Sequence, residues 1–506
     1  MAIEHTVIEE TYRDSVKLMR LANEVSEAYA LSDATALMGT EANRERLAET
    51  TALDPESLVG VGPSDLVLLA VAEDSERAAS ALADMRERLD SDGSDSDSSS
   101  EHQSDPTSLA EAIGTLEHPE LALISVPGEY AAREAWLALH SGLHVQLFSD
   151  SVPIAAEREL KKFGLEEDLL VMGPDCGTAI IDGLPLGFAN VVSQGSIGLV
   201  SASGTGLQEV ASLIDRGGGG ISQAIGTGGR DLHDSVGGLM TSKSIERLDD
   251  DPETDCLVVI SKPPDPSARE AVLDTIEAAE TPVVVQFLGA TDELGVEGVE
   301  TAGTLADAAT MALDVAGEPS AQSSEPSVAE LSDSIEAATD GALRGLFSGG
   351  TLCTEAALFL SETVEGLATN VGVGDPIVDP LDPEGRSLVD LGADELTRGR
   401  PHPMIDTGLR DSQLAEALAD DTVGMVLLDV VLGRGAHADP AAGIAEQLDA
   451  ATAPPPVVAS VCGTDADPQG RSEQVETLRE AGVVVAPSNA AAAAVAASAV
   501  AGGGGR

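Results

Sequence analysis

Short apolar runs alternate with longer amphipathic stretches along most of this chain, and that alternation predicts an α/β protein. Residues 6–9 read as extended, 15–30 as helical, 66–72 as a buried strand and 75–89 as the helix after it. Residues 1–90 are therefore expected to form a small N-terminal α/β domain. Residues 91–106 hold no apolar side chain and are expected to be a disordered acidic Ser/Asp linker. From residue 107 to 192 apolar strands at 121–126, 143–148 and 169–172 alternate with helices at 129–140 and 155–163. That pattern implies a parallel sheet whose ligand side lies at the strand C-termini, near 125–128, 149–151 and 174–178.

The remainder repeats itself. Gly204-Thr205-x-x-x-Glu209 recurs as Gly350-Thr351-x-x-x-Glu355, and the Gly-rich run 225–231 parallels 371–375. Strands at 257–260 and 282–287 parallel 425–431 and 456–461, and 299–309 parallels 484–494. Two similar domains are expected at 193–317 and 341–500, with a polar connector at 318–340 and a Gly-rich tail at 501–506. Most of the extra length of the second repeat is expected between Asp375 and Met425, as an insertion carrying 399–410.

Chemistry concentrates at the strand-to-helix turns. The run 197–201 ends in Ser203, Gly204, Thr205 and Gly206 before a helical pattern, so free backbone N–H groups are expected at a positive helix end. That geometry suits phosphate or an acyl phosphate. The second turn adds Gly228, Gly229 and Arg230, and the repeat adds Gly350 and Thr351. Equally, such glycines can merely permit positive φ or close packing. No nucleotide P-loop and no dinucleotide Gly-x-Gly-x-x-Gly is present. Within 399–410, Arg400 and Arg410 are expected to grip an anionic co-substrate, with His402 as general acid/base oriented by Asp406. The alternative is a solvated loop with a local ion pair. Of the other histidines, His233 and His437 follow turn or strand ends and can approach a site.

Length and charge then narrow the setting. A chain of 506 residues has room for three or four domains. Aromatic residues make up 2%, so the cores must be built from Ala, Val, Leu and Ile. The net charge of −61 disfavours nucleic acid and anionic membranes as partners. Scarce lysine and acid excess in every domain point to a salt-rich cytoplasm, where self-repulsion is screened. Cys176, Cys256, Cys353 and Cys462 are far apart, which fits a reduced compartment and no local metal motif. No signal peptide or membrane-length apolar run is seen.

The blocks GPDCGTAIIDGLPLGFANV, SASGTGLQEV, QAIGTGGRDL, VISKPP, SGGTLCTEA, GRPHPMID, LDVVLG and VCGTDADPQ resemble the FdrA family. These are acyl-CoA-synthetase-like proteins related to the succinyl-CoA synthetase alpha subunit. The resemblance covers nearly the whole chain outside 91–106. It implies a Rossmann-like CoA-binding-type domain followed by two flavodoxin-like CoA-ligase-type domains. It sets Ser203, Gly204 and Thr205 at the head of a phosphate-facing helix, with Gly228-Gly229 nearby. It also maps Gly173-Pro174-Asp175-Cys176 onto a Gly-Pro-Asn-Cys turn, making Pro174, Asp175 and Cys176 candidate cofactor contacts, with Asp replacing Asn.

One departure bears on mechanism. The alpha subunits carry a phosphorylated His after the strand matching 282–287; here that strand runs into LGATDELGVEG, and no His occurs from 234 to 401. The nucleotide-grasp domain is also unmatched. The family is linked to allantoin catabolism through oxamate carbamoyl transfer. Three readings stay open: acyl or carbamoyl transfer to or from phosphate, a CoA ligase subunit working with nucleotide-binding partners, and a non-catalytic CoA- or phosphate-binding scaffold. Protein partner subunits are expected.

Overall fold

The computed structural model describes residues 106–290, 296, 299–318, 325–335, 341–398 and 400–503; before these it describes 2–8, 33–40, 55–58, 60–62, 64–72, 74–91 and scattered positions between. The expected linker at 92–105 lies outside the described residues. Two compact units result, Met1–Asp105 and Pro106–Arg506.

In the first unit, strands β1 (Ala2–Ile8), β2 (Asp33–Met38) and β3 (Leu66–Ala72) form an antiparallel sheet in the order β1-β3-β2. Strand side chains alternate faces, so the unbroken apolar run of β3 needs cover on both. Leu66, Leu68 and Ala70 pack with Leu18, Val25 and Met85. Val67, Leu69 and Val71 pack with Leu47, Leu58 and Val61.

The second unit begins with the parallel strands β4 (Leu121–Ile124), β5 (His144–Leu147) and β6 (Val171–Met172). Next come the hairpin β7 (Thr178–Ile181) and β8 (Leu184–Gly187), then β9 (Gln194–Ser201) and β10 (Ile221–Gly226). Strands β11 (Cys256–Ser261), β12 (Val283–Phe287) and β13 (Val299–Thr301) complete the first repeat, with sheet order β13-β12-β11-β9-β10-β7-β8. The hairpin pairs with β10, so the sheet of the first repeat recruits residues from before 193.

In the second repeat β14 (Ala342–Phe347), β15 (Leu367–Thr369), β16 (Asp375–Pro376) and β17 (Arg386–Asp390) precede β18 (Val423–Val431), β19 (Val457–Cys462) and β20 (Val484–Ala486). The order is β16-β15-β17-β14-β18-β19-β20, all parallel where paired. The polar connector is not wholly irregular: it contains a helix, Val328–Ser334, started by a Ser327/Glu330 capping box.

Register corrects the expected match of 225–231 with 371–375. Strand β17 flanks β14 as β10 flanks β9, so the counterpart of Gly226 is Asp390. Residues 371–375 belong to an added edge instead. Nor is 399–410 an insertion. It fills the same connection as 229–240, and the offset from Leu239 to Gly408, the two helix starts, equals that from Ile260 to Asp429. The same offset sets His233 opposite His402. Both carbonyls accept N–H bonds from the residues three and four positions on.

The Gly-Thr-x-x-x-Glu motif ties the repeats together. Glu209 accepts from the Asn489 N–H (3.0 Å) at the start of the Asn489–Gly503 helix. Glu355 accepts from the Leu305 N–H (2.7 Å) and the Asn489 amide (2.7 Å). Each repeat thus caps the last helix of the other, supplying acceptors that helix starts lack.

Candidate functional site

Two helix starts meet where the repeats face one another. Ser203 is extended (φ −136°, ψ 120°), and its hydroxyl caps the Gly204–Arg216 helix by accepting from the Gly206 N–H at 3.0 Å. Gly349 caps the Gly350–Ser361 helix without a side-chain bond. Ser203 Oγ and Thr351 Oγ1 lie 2.5 Å apart across the repeat boundary. Thr205 Cγ2 is 3.0 Å from the Cβ position of Gly349. Among the described residues no acceptor takes the N–H of Gly204, Thr205, Gly350 or Thr351. Two positive helix ends therefore converge on one cleft.

Two buried carboxylates enter from the second repeat. Asp429 is fully buried and accepts from the Ser348 and Gly349 N–H groups at 2.6 and 2.7 Å. Burial, helped by Asp390, raises it to about 7 despite those bonds and Arg410. Asp390 Oδ1 accepts from Gly392 N–H at 2.9 Å. Its Oδ2 is 2.5 Å, and Lys262 Nζ 3.7 Å, from the Cβ position of Gly350. Burial raises Asp390 to about 6, with Asp394 and Glu395 adding to it and Lys262 opposing. The first repeat has Gly226 and Ile260 at these register positions. Composition and spacing gave no sign of this pair. A carboxylate at the C-terminal end of a buried parallel strand was the available signal.

Of the four residues expected in 399–410, His402 alone reaches the cleft wall. Its Nε2 is 2.5 Å from the Cβ position of Gly392, beside the Ser348 carbonyl, and its ring lies 6.0 Å from that of Phe188. Nδ1 accepts from the Met404 N–H at 3.2 Å, and burial lowers the imidazole to about 4. His402 is thus a neutral ring with an N–H to give at Nε2, a hydrogen-bond donor rather than a base near neutral pH. Asp406 does not orient it: its Oδ1 accepts from Gly408 N–H at 2.9 Å. Arg410 is buried, bound to Asp411 (2.8 Å) and the Pro440 carbonyl (2.7 Å), and so holds structure instead of substrate. Arg400 is exposed.

The Gly173–Pro174 bond is cis, and the turn splits the expected cofactor contacts. Cys176 is buried against the Gly226 carbonyl (3.3 Å), and burial pushes its thiol up to about 12, an inert group. Asp175 opens to solvent at the cleft mouth yet has protein on most sides. That desolvation, then Asp394 and Asp150, raise it to about 6. Gly228 packs on the Pro174 carbonyl, whereas the Cβ position of Gly229 meets nothing closer than 3.9 Å and faces Asp175. Behind this turn Lys161 is fully buried and bonds Glu157 (2.8 Å), Asp231 (2.8 Å) and the Thr227 carbonyl (3.0 Å). Arg230 is engaged too, by Glu157 (2.9 Å) and the Val152 carbonyl (2.8 Å). This network holds the Gly-Gly turn in place. The turn at 173–176 itself offers no cation for the phosphates of a CoA, so its fit to that group is poor.

Residues 346–499 match the CoA-ligase family model, 192–289 the CoA binding domain, and 1–106 a model described as AllF, heavy metal-associated domain. The CoA-binding match falls on the first repeat, not on 107–192. Residues 1–106 contain no cysteine, and their histidines are His5 and His102. No group of three candidate ligands occurs among the described residues. YahF of Escherichia coli K12, an uncharacterized protein, is 35% identical over 512 residues, 97% of each chain. The succinate–CoA ligase [ADP-forming] subunit alpha of Methanothermobacter thermautotrophicus is 30% identical over 173 residues, 34% of this chain and 57% of that one. The dinucleotide-forming acetyl-CoA synthetase 1 of Ca. Korarchaeum cryptofilum, solved with phosphate and ADP, shares 17% identity and a TM-score of 0.30 over 77% of this chain and 84% of that one. No described helix is long and apolar enough to cross a membrane.

Proposed function

The chain belongs to the FdrA-like family that includes YahF, with CoA-binding and CoA-ligase family domains, and from that premise we propose that it transfers an acyl or carbamoyl group to or from phosphate. One observation carries this reading: two helix starts, one from each repeat, converge with free N–H groups beside Ser203 and Thr351. Phosphate binds between them, and the same dipoles hold the oxyanion of the tetrahedral intermediate. His402 Nε2–H stands at the wall as a further donor. Lys262 supplies the cation that Arg400 and Arg410 do not. Oxamate carbamoyl transfer is the specific reaction, and partner subunits complete the assembly, as the word subunit in the names of the succinate–CoA ligase relatives suggests.

The matches to CoA-family domains favour a second reading, a CoA ligase subunit. CoA would supply a thiol to accept the acyl group.

The test is phosphate-dependent cleavage of carbamoyl-oxamate, followed as carbamoyl phosphate and oxamate, against CoA-dependent thioester formation. Gly204→Val places a side chain where the anion approaches, and only Thr178 Oγ1, at 3.4 Å from the Cβ position, stands nearby. The variant should fold normally and lose phosphate affinity by at least about tenfold, roughly 1.4 kcal/mol. Unchanged affinity would remove phosphate from this turn.

A further inference from the structure

We propose that Asp390 is a catalytic acid/base of this cleft, carrying a proton between phosphate and the leaving group during acyl transfer. The assignment rests on the transfer reading above.

The side chain is nine-tenths buried, and its Oδ2 has no hydrogen-bond partner among the described residues. That oxygen lies 2.5 Å from the Cβ position of Gly350, the first residue of the second-repeat helix, whose N–H is free. The atom therefore lies beside the first residue of that helix start. The fold does not require a carboxyl here, because Gly226 occupies the matching register position in the first repeat. A second polar side chain, on the first-repeat side of the boundary, is also unpartnered among the described residues. Gln286 is fully buried with both amide atoms unpaired, on the strand next to β11 and level with Ile260. Ile260 Cγ2 is in turn 3.2 Å from the Cβ position of Gly206.

An ionised carboxylate would repel the anion that the helix starts attract. Burial moves Asp390 to about 6, so both protonation states are accessible near neutral pH. The groups facing it are Lys262 beyond β11, Asp394 and Glu395 on the short helix after β17, Asp429 on β18 and Cys353 on the Gly350–Ser361 helix. Of these only Lys262 favours the ionised form.

The proton balance closes without any further reactant. In R–CO–X + HPO4²⁻ → R–CO–OPO3²⁻ + HX, a phosphate oxygen bonds to the carbonyl carbon and the C–X bond breaks. The protonated Asp390 gives its proton to X. The resulting carboxylate takes the proton that the hydrogen phosphate sheds, and the reverse reaction retraces both transfers.

The experiment uses the full chain and its Asp390→Asn variant. Sulfate serves as the probe, a dianion across the range, with binding measured by calorimetry from about pH 5 to 8. Wild-type affinity should fall as the pH rises through about 6, and the Asn variant should reduce that fall at least about fivefold. Asp429 and Asp175 account for what slope remains. Turnover with phosphate should drop about 100-fold in the variant. Lys262→Met, a change at an exposed position, should move the midpoint of the wild-type profile upward, because it removes the cation that favours the carboxylate.

Identical profiles in wild type and Asp390→Asn, an unmoved midpoint in Lys262→Met, or near wild-type turnover in Asp390→Asn would each overturn the assignment. Absence of sulfate and phosphate binding by the wild type would overturn the anion site itself. A wild type that binds sulfate with the expected profile, yet transfers no acyl group to phosphate, would overturn the transfer reading and the proton shuttle with it.

Discussion

At the scale of single residues, equivalent positions in the two repeats have different freedom. Gly204 and Gly350 both begin a helix at the cleft. A Cβ at Gly204 meets Thr178 Oγ1 at an ordinary 3.4 Å, whereas one at Gly350 stands 2.5 Å from Asp390 Oδ2. Gly350→Ala should therefore destabilise the chain by about 1–3 kcal/mol, the usual range for overpacking, while Gly204→Ala should be close to neutral. Chemical denaturation of both variants checks this; equal midpoints would mean that Asp390 yields freely. The same contrast explains why the histidine and arginines of 399–410 part company. Their sequence proximity says nothing about direction, and burial sends Arg410 to Asp411 while leaving His402 at the wall.

At the scale of elements, the crossed capping by Glu209 and Glu355 makes the repeats mutually dependent. Burial raises Glu355 from an ordinary carboxylate value to about 7, with the Asn489 and Leu305 donors opposing. The folded state thus holds this proton more tightly than the unfolded chain does. Its share of stability is greatest below about pH 4.5 and is lost as pH rises towards about 7. Glu355→Gln removes the titration but leaves one acceptor for the two donors. Its melting temperature should lie below wild type near pH 5, and the gap should shrink by several degrees towards pH 8, a change of a few kcal/mol at most. A constant offset across that range would show that Glu355 does not titrate there. The repeat motif itself was legible in the sequence, but its glutamates were not legible as caps. The helix starts they serve lie in the other repeat, 280 residues away for the Glu209 bond.

At the scale of the molecule, the net charge of −61 acts on folding through repulsion spread over the whole chain. The fold answers locally by burying Lys161 between Glu157 and Asp231, with both Lys–carboxylate distances at 2.8 Å. The wider excess must be screened by solvent. The helical circular dichroism signal should be full in molar KCl and fall on dilution to about 0.1 M, where the Debye length reaches about 10 Å. A signal unchanged over that range would show that repulsion is too weak to matter.

The sequence by itself determined the α/β class, the two repeats, and the Ser203 and Thr351 turns, because strand and helix periodicity and capping chemistry are local. It also carried the family resemblance, which the 35% identity to YahF confirms. Tertiary structure alone decided the true repeat alignment, since strand order and register match Gly226 with Asp390 and not with Gly372. It alone brought Asp390, Asp429 and Lys262 to the helix starts. Those residues are distant in sequence and stand on two sheets; parallel strands deliver their C-terminal ends to one edge of each sheet, and the two edges meet where Ser203 faces Thr351.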